Sequence, residues 1–455
     1  MSFGFGLGLP HYVAVLGGSG SGYFLSLTTN GAGITEALRP ASILLDASGN
    51  IIVFGTTDFG AAAGAVIKLT PSGTLSTSSK FSSSDTANTA TKDSSGNYYA
   101  LTDEYQYYCC AEHRFPEIVK LNSSLNKTAG ALISVSDTSV PITFPTIDSS
   151  GNIWFAYDDN VGTGYSYIMK VNSALTAATF YNEFSVGCCY VYYNTITSNP
   201  VTSSLIFAGY FFVFACCPCC GSYYTGYPTV QSVPISAPTT VTWAGGYTGL
   251  QSDGFGATAV NSAGDIYLSR VDGALIKLNS SGAVQWKYRF TGAYYIQCIV
   301  FDSSNNVYCI ATEVGYGIQI FKVQDNGGSA TLVYSRRLYS PNGGMSFLAL
   351  GRYTNIATID GNTLYLTVAF KPNSTAHKIL VLKVPTDGTL TQTVSLSGYS
   401  FSYSIGTITQ NINTDGITSP GFTAFPMSTP TVPSVENPGG IAPTSLTAST
   451  AVTVL

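Results

Sequence analysis

Seven stretches of this chain carry one short phrase: an apolar run, a turn of the Asp/Asn-Ser-Gly-Asn type, then a second run of aromatic or β-branched residues. The copies are LLDASGNIIVFG (44–55), ATKDSSGNYYALT (90–102), TIDSSGNIWFAY (146–157), TITSNPVTSSLIFAG (195–209), AVNSAGDIYLSR (259–270), VFDSSNNVYCIAT (300–312) and TIDGNTLYLTV (358–368). Recurrence at this spacing is the mark of a repeat architecture, in which one supersecondary unit is copied and each copy buries its apolar faces on its neighbours.

A second phrase alternates with the first. After each hairpin comes an apolar strand and another small turn: AVIKLTPSG (65–73), EIVKLNSSL (117–125), YIMKVNSAL (167–175), TVQSVPISAP (229–238), ALIKLNSSG (274–282), QIFKVQDNGG (319–328) and ILVLKVPTDG (379–388). Lys68, Lys120, Lys170, Lys277, Lys322 and Lys383 occupy the same place in it and are read as solvent-facing or snorkelling residues at strand edges. Each unit is therefore two hairpins in series, or four antiparallel strands. Such a sheet cannot stand alone, and a closed ring of them hides most strand edges. The fold class expected is all-β, a β-propeller of four-stranded antiparallel blades.

Residues 11–39 read as further strands without a first one. If SIGTITQN (404–411) supplied that inner strand, the two ends would share a blade and the ring would have eight. Seven blades is the alternative. The organisation expected is an N-terminal assembly arm at 1–10, the propeller at 11–411, and a Pro/Thr/Ser-rich C-terminal arm at 412–455.

In a four-strand meander, the first and third turns fall on one face and the other connections on the opposite one. The short repeated turns occupy one face, so the irregular segments share the other. These are TDEYQYYCCAEHRF (102–115), DDNVGTGYS (158–166), SVGCCYVYY (185–193), FFVFACCPCCGSYYTGY (211–227), WAGGYTGLQSDGFG (243–256), TGAYYI (291–296) and LYSPNGGMSFLALGRYTN (338–355). A rigid scaffold displays its functional segments in such a place. The interaction-face candidates are Tyr105, Tyr107, Tyr108, Tyr190, Tyr192, Tyr193, Tyr223, Tyr224, Tyr227, Tyr294 and Tyr295.

The same segments hold four cysteine doublets, Cys109 with Cys110, Cys188 with Cys189, Cys216 with Cys217, and Cys219 with Cys220. Disulfides bracing long insertions are the preferred reading. A thiolate metal site and packed free thiols stay open beside it, although CCPCC departs from zinc-ligand spacing. Cys298 and Cys309 flank the turn at Asp302 on adjacent strands and read as buried free thiols.

The net charge of −5 and the absence of a basic stripe argue against nucleic acid as a partner. No apolar run is long enough for a membrane-spanning helix. The opening MSFGFGLGLP lacks a positive n-region, so no secretory signal is expected.

No residue set announces a chemistry. Asp46, Asp93, Asp148 and Asp302 sit singly in their turns, where capping of the turn backbone explains them better than calcium. Asp103 with Glu104 and Asp158 with Asp159 are adjacent pairs that read as solvated loop acids. His11, His113 and His377 are too scattered for a triad, and GSGSG (18–22) lacks the Lys-Ser/Thr of a phosphate loop. The expectation is a protein that is not an enzyme and carries no cofactor.

DSSGNIW (148–154), DSSGNYY (93–99) and NSAGDIY (261–267) resemble the repeats of bacterial and viral propellers of the NHL and SBBP type. That motif is structural and implies no catalytic residue. The opening SFGFGLGLP is similar to glycine-aromatic N-termini of tailed-phage virion proteins, tail and fibre-associated ones especially. The resemblance implies a noncatalytic tail, fibre or surface-decoration subunit, located in a virion made in the host cytoplasm. Its implied partners are other virion subunits or copies of itself, with a host-surface glycan as a further candidate. A secreted propeller enzyme acting on a sugar or lactone, or an extracellular surface or filament protein, is the alternative.

Overall fold

The computed structural model describes residues 14–15, 23–31, 34–36, 38–412 and 452–454. Within 38–412 it leaves out 58–63, 81–84, 109–110, 133–138, 160–165, 183–188, 218–220, 247–253, 313–316, 341–344, 348–354, 373–377, 397–398 and five single positions. The chain forms a β-propeller of seven four-stranded antiparallel blades.

From the inside outwards, blade one is Leu38–Leu45, Ile51–Thr57, Gly64–Leu69 and Leu75–Lys80. Blade two is Asp85–Lys92, Tyr98–Tyr108, Ala111–Leu121 and Lys127–Leu132. Blade three has a broken inner strand, Ser139–Pro141 and Thr146–Ile147, followed by Ile153–Asp159, Ser166–Val171 and Ala178–Asn182. Blade four is Cys189–Asn199, Ser204–Cys217, Gly221–Pro234 and Trp243–Gly246, and blade five is Phe255–Val260, Ile266–Arg270, Ala274–Leu278 and Val284–Thr291. Blade six is Tyr295–Phe301, Val307–Thr312, Gly317–Asp325 and Ala330–Tyr339. Blade seven takes Met345–Phe347 and Ala357–Asp360 inside, then Thr363–Pro372 and Lys378–Pro385.

The fourth strand of blade seven is Tyr23–Gly31, with Tyr23 opposite Lys383 and Leu27 opposite Ile379, and the short strands Ala14–Val15, Ile34–Glu36 and Val452–Val454 pair with it in turn. This corrects the eight-blade expectation. The N-terminal strand found an open edge on the last blade, and pairing there closes the ring without a further sheet. The segment expected to supply an inner strand also lies elsewhere. Tyr399–Ile405 pairs outside blade six, and Thr409–Ile412 pairs outside blade five. A hairpin partner, Gln392–Leu396, accompanies the first of these. The C-terminal segment is thus a strap across two outer edges, which leaves fewer backbone groups open to stray pairing.

Seven apolar clusters fill the interfaces, each drawn from two consecutive blades. Continuous runs such as Ile51-Ile52-Val53-Phe54 follow from this, because both faces of the strand are buried. Ile51 and Val53 pack toward Ile379 and Val381 of blade seven, while Ile52 and Phe54 pack toward Tyr98 and Ala100 of blade two. Near the axis, polar atoms complete the contact. Ser42 Oγ accepts the Ala90 N–H at 2.9 Å, Thr195 and Thr258 share a 2.6 Å hydroxyl bond, and Ser269 Oγ donates to Ile296 O at 2.8 Å. At the closing interface Ile43 N donates to Asn355 O at 2.9 Å and Asn355 N to Ala41 O at 3.1 Å.

Candidate functional site

The repeated residues are consumed by the ring itself. In each Asp turn the carboxylate accepts the turn's own amides: Asp46 Oδ1 takes Ser48 N at 2.8 Å and Asn50 N at 2.9 Å, and Asp148 Oδ1 takes Ser150 N and Asn152 N, both at 2.9 Å. Six residues on from Asp93, Asp148 and Asp302, an aromatic side chain returns to the same carboxylate, whereas Asp46 has Ile52 there and pairs with Lys68 at 2.9 Å. Trp154 Nε1 donates to Asp148 Oδ2 at 2.8 Å, and Tyr308 OH donates to Asp302 Oδ2 at 3.0 Å. Among the described residues no group of three or more His, Cys, Asp or Glu gathers into a metal-ligand set.

The lysines do more than snorkel, which corrects the sequence expectation. Lys68 Nζ donates to Ser123 O at 3.2 Å, Lys120 to Ser173 O at 3.0 Å and Lys383 to Pro71 O at 3.4 Å. In every case the acceptor lies in the outer turn of the next blade. Lys120, Lys170, Lys322 and Lys383 also lie 5.1–5.8 Å from the ring centres of Tyr99, Trp154, Tyr308 and Tyr365. The ammonium thus sits over the aromatic face, and that of Lys120 and of Lys383 also links two blades. Lys277 goes further and meets Asp325 of blade six at 2.5 Å and Asp265 at 2.9 Å. Asp325 also accepts Tyr267 OH at 2.6 Å and Trp286 Nε1 at 3.0 Å. Nothing in the QDNGG turn singled it out beforehand.

The charge state follows from these bonds. Burial alone would raise the Asp46 carboxyl, but hydrogen bonds from Asn50, Lys68 and the Ser48 amide outweigh it and hold it at about 2. Burial likewise opposes ionisation of Asp93, Asp148, Asp302 and Asp325, and their donors again win, leaving each below the ordinary 3.8. A carboxyl whose folded pKa is depressed contributes stability above its unfolded pKa and loses it as pH falls through the folded value. The thermal midpoint is therefore expected to stay level from neutrality to about pH 4 and to drop between about pH 4 and pH 2. Circular dichroism melts across that range would refute the clamp reading if the midpoint did not move.

With the turn face occupied in this way, the opposite face differs from it. Its main feature is length. The middle strands of blades five and six, Ile266–Arg270 and Val307–Thr312, end at the blade body. Those of blade four, Ser204–Cys217 and Gly221–Pro234, run 14 residues each, and those of blade two run 11. At about 3.4 Å per residue, the blade-four hairpin stands roughly 25 Å above its neighbours' strands. The segments 102–115 and 211–227, read from sequence as loops, are continuous ladders here, Glu112 opposite Tyr107 and Tyr224 opposite Phe214.

Of the face candidates, Tyr105, Tyr107 and Tyr108 lie on the blade-two hairpin, and Tyr190, Tyr192, Tyr223, Tyr224 and Tyr227 on blade four. Tyr193 and Tyr295 are core residues instead, 1% and 8% exposed, with Tyr193 OH accepting the Gln231 amide. Tyr294 lies outside the described residues, as do Cys109, Cys110, Cys188, Cys219 and Cys220. Cys189 stands opposite Val213, Cys216 opposite Ser222 and Cys217 opposite Gly221, so ladder register pairs none of the three with another cysteine. Cys298 and Cys309 are free and buried. Cys298 pairs in register with Ile310 and Cys309 with Ile299, an offset that puts them on opposite sheet faces and in different interfaces. Asp103 and Glu104 stand opposite Pro116 and Phe115, and Asp158 and Asp159 opposite Ser166 and Ser139, all as strand residues.

Sequence reasoning missed a charged group beside the blade-four hairpin. Arg289 donates to Asp272 Oδ2 at 2.5 Å, and Arg270 approaches the same oxygen at 3.5 Å. The signal available was the very short RVDGA connection of blade five, set against the long insertions of other blades.

No protein-family model matches this sequence, and no curated protein does. Solved structures match by shape alone. The chain is similar to the WD40 domain of Pan2 from Neurospora crassa, at 9% identity and a TM-score of 0.42, covering 76% of this chain and 89% of that one. It is similar to a Dyadobacter fermentans protein of unknown function, at 9% identity and a TM-score of 0.41, covering 80% and 97%. A Bacteroides caccae protein of unknown function is 10% identical with a TM-score of 0.36, covering 58% of this chain and 93% of its own.

Proposed function

We propose that this protein is a noncatalytic attachment or assembly subunit of a virus particle, in the tail, fibre or surface decoration, that binds through the face carrying the blade-two and blade-four hairpins. The observation that carries this reading is the projection of both hairpins to one side, while the turns of the other side are occupied in holding blades together. Two-sided ribbons rich in Tyr and Phe offer broad, amphipathic contact area. Asp103, Glu104, Asp158 and Asp159 continue ordinary strands, and the repeated carboxylates accept bonds from their own turns, which favours binding over chemistry. Other virion subunits, or further copies of this chain, are the proposed partners, with a host-surface glycan as a second class of ligand.

The test replaces 211–227 with a two-residue Asn-Gly turn. The shortened chain is expected to melt like the parent, since the removed ladder lies beyond the blade body, and to be lost from particles in which the parent sediments at fixed stoichiometry. A parent chain that never sediments with particles overturns the proposal.

A further inference from the structure

Lys277 Nζ stands between two carboxylates, 2.5 Å from Asp325 Oδ2 and 2.9 Å from Asp265 Oδ2. Lys68 and Lys322, at the same place in their own blades, each meet a single described carboxylate, Asp46 at 2.9 Å and Asp302 at 3.6 Å. The three groups of the Lys277 cluster are also well shielded. Their side chains are 5% exposed for Lys277, 9% for Asp325 and 24% for Asp265. Aromatic rings enclose them, with Tyr267 5.8 Å from Trp286 and 4.9 Å from Phe301 between ring centres.

The donors to Asp325 divide between its two oxygens. Oδ1 accepts Trp286 Nε1 and Gly327 N, both at 3.0 Å, while Oδ2 accepts Tyr267 OH at 2.6 Å beside the lysine. That division suits acyl transfer to an amine. Attack on Cγ drives negative charge onto Oδ1, where two N–H groups are already aimed. Oδ2 is then the oxygen that departs, with a hydroxyl in place to protonate it. Asp265, in contact with the nitrogen, is placed to take a proton from it.

We infer that Lys277 and Asp325 are a self-modification site, at which an amide forms between Lys277 Nζ and Asp325 Cγ and ties blade five covalently to blade six. The N–C bond forms from the nitrogen lone pair as the Cγ–Oδ2 bond breaks. Of the three ammonium protons one stays on the amide nitrogen, and two leave with Oδ2 as water, relayed by Asp265 and the Tyr267 hydroxyl. No oxidant, cofactor or second substrate is consumed.

Two effects favour the bond over a lasting ion pair. Condensation removes two charges from a place where water cannot hydrate them well. The reacting groups are already in contact, and such placement is equivalent to a concentration of up to about 10⁸ M. Burial opposes the Lys277 ammonium, but Asp265 and Asp325 outweigh it and hold the group charged, so loss of the first proton is the slow step. Before that step the pair is the ion contact described above, with its energetics unchanged. The inference is independent of which face of the ring binds a partner.

The test weighs the purified full-length chain by mass spectrometry under denaturing conditions, after folded incubation at neutral pH for increasing times. A loss of one water is expected, and proteolysis should release a branched peptide in which position 277 is joined to position 325. Asp325→Ala and Lys277→Met should each keep the full sequence mass. Asp265→Asn leaves the reacting pair in place without a proton carrier and should slow the loss tenfold or more, whereas Lys322→Ala should leave its rate unchanged. Circular dichroism melts establish that each variant is folded. A parent chain that keeps its full mass overturns the site, as does a water loss confined to one unbranched peptide, the mark of a cyclic imide at an aspartate. Equal rates in Asp265→Asn and the parent would overturn the relay assigned to Asp265.

Discussion

A chain lacking residues 1–31 is expected to lose most of its resistance to urea. Tyr23–Leu27 forms the outer ladder of blade seven against Ile379–Lys383 and so ties the first part of the chain to the last blade. Without it the Lys378–Pro385 strand loses its outer partner, and among the described residues the closing interface keeps side-chain packing, the Asn355 backbone pair and Lys383 on Pro71 O. Losing about four ladder hydrogen bonds at about 1 kcal/mol each removes on the order of 4 kcal/mol. That is a large share of the total of roughly 5–15 kcal/mol that holds an ordinary domain folded. Urea titration followed by tryptophan fluorescence measures the loss, and a peptide of residues 20–33 added in trans should restore part of it. An unchanged midpoint would mean that the blade seven to blade one packing closes the ring unaided.

Asp325→Ala is expected to cost about 3 kcal/mol, the range for breaking a buried ion pair by removing one partner. Three donors from blade five converge on this carboxylate, and its removal leaves Lys277, 5% exposed at its side chain, with Asp265 as its remaining ion-pair partner, while Tyr267 OH and Trp286 Nε1 lose an acceptor. Replacing both ends is gentler than replacing one, because no desolvated charge is stranded. The double variant Asp325→Ala with Lys277→Met should therefore recover part of the loss. Chemical denaturation of the two variants beside the parent decides it, and a double variant as damaged as the sum of its singles would refute the coupling.

The seven-fold count of hairpins, the four strands per unit and the sorting of turns onto one face were legible because they rest on local chemistry: Asp-Ser-Gly-Asn turns, strands apolar on both sides, and fixed spacing. The fate of the ends was not. Tyr23–Gly31 and Tyr399–Ile405 have the same alternating look as any edge strand, and only the positions of free edges in the assembled ring decided that one would complete blade seven and the other would strap blade six. The lysines show the same limit, since their repetition was visible while the carbonyls that receive them belong to a neighbouring unit some fifty residues on.

By itself the sequence determined the four-stranded unit and its repetition, because turn residues and strand periodicity act over a few neighbouring positions. Tertiary structure alone decided how the ring closes and where Lys277 finds Asp325. Those outcomes depend on which backbone edges and charges are left unpaired once the blades are packed, a property of the closed ring and of no single stretch of chain.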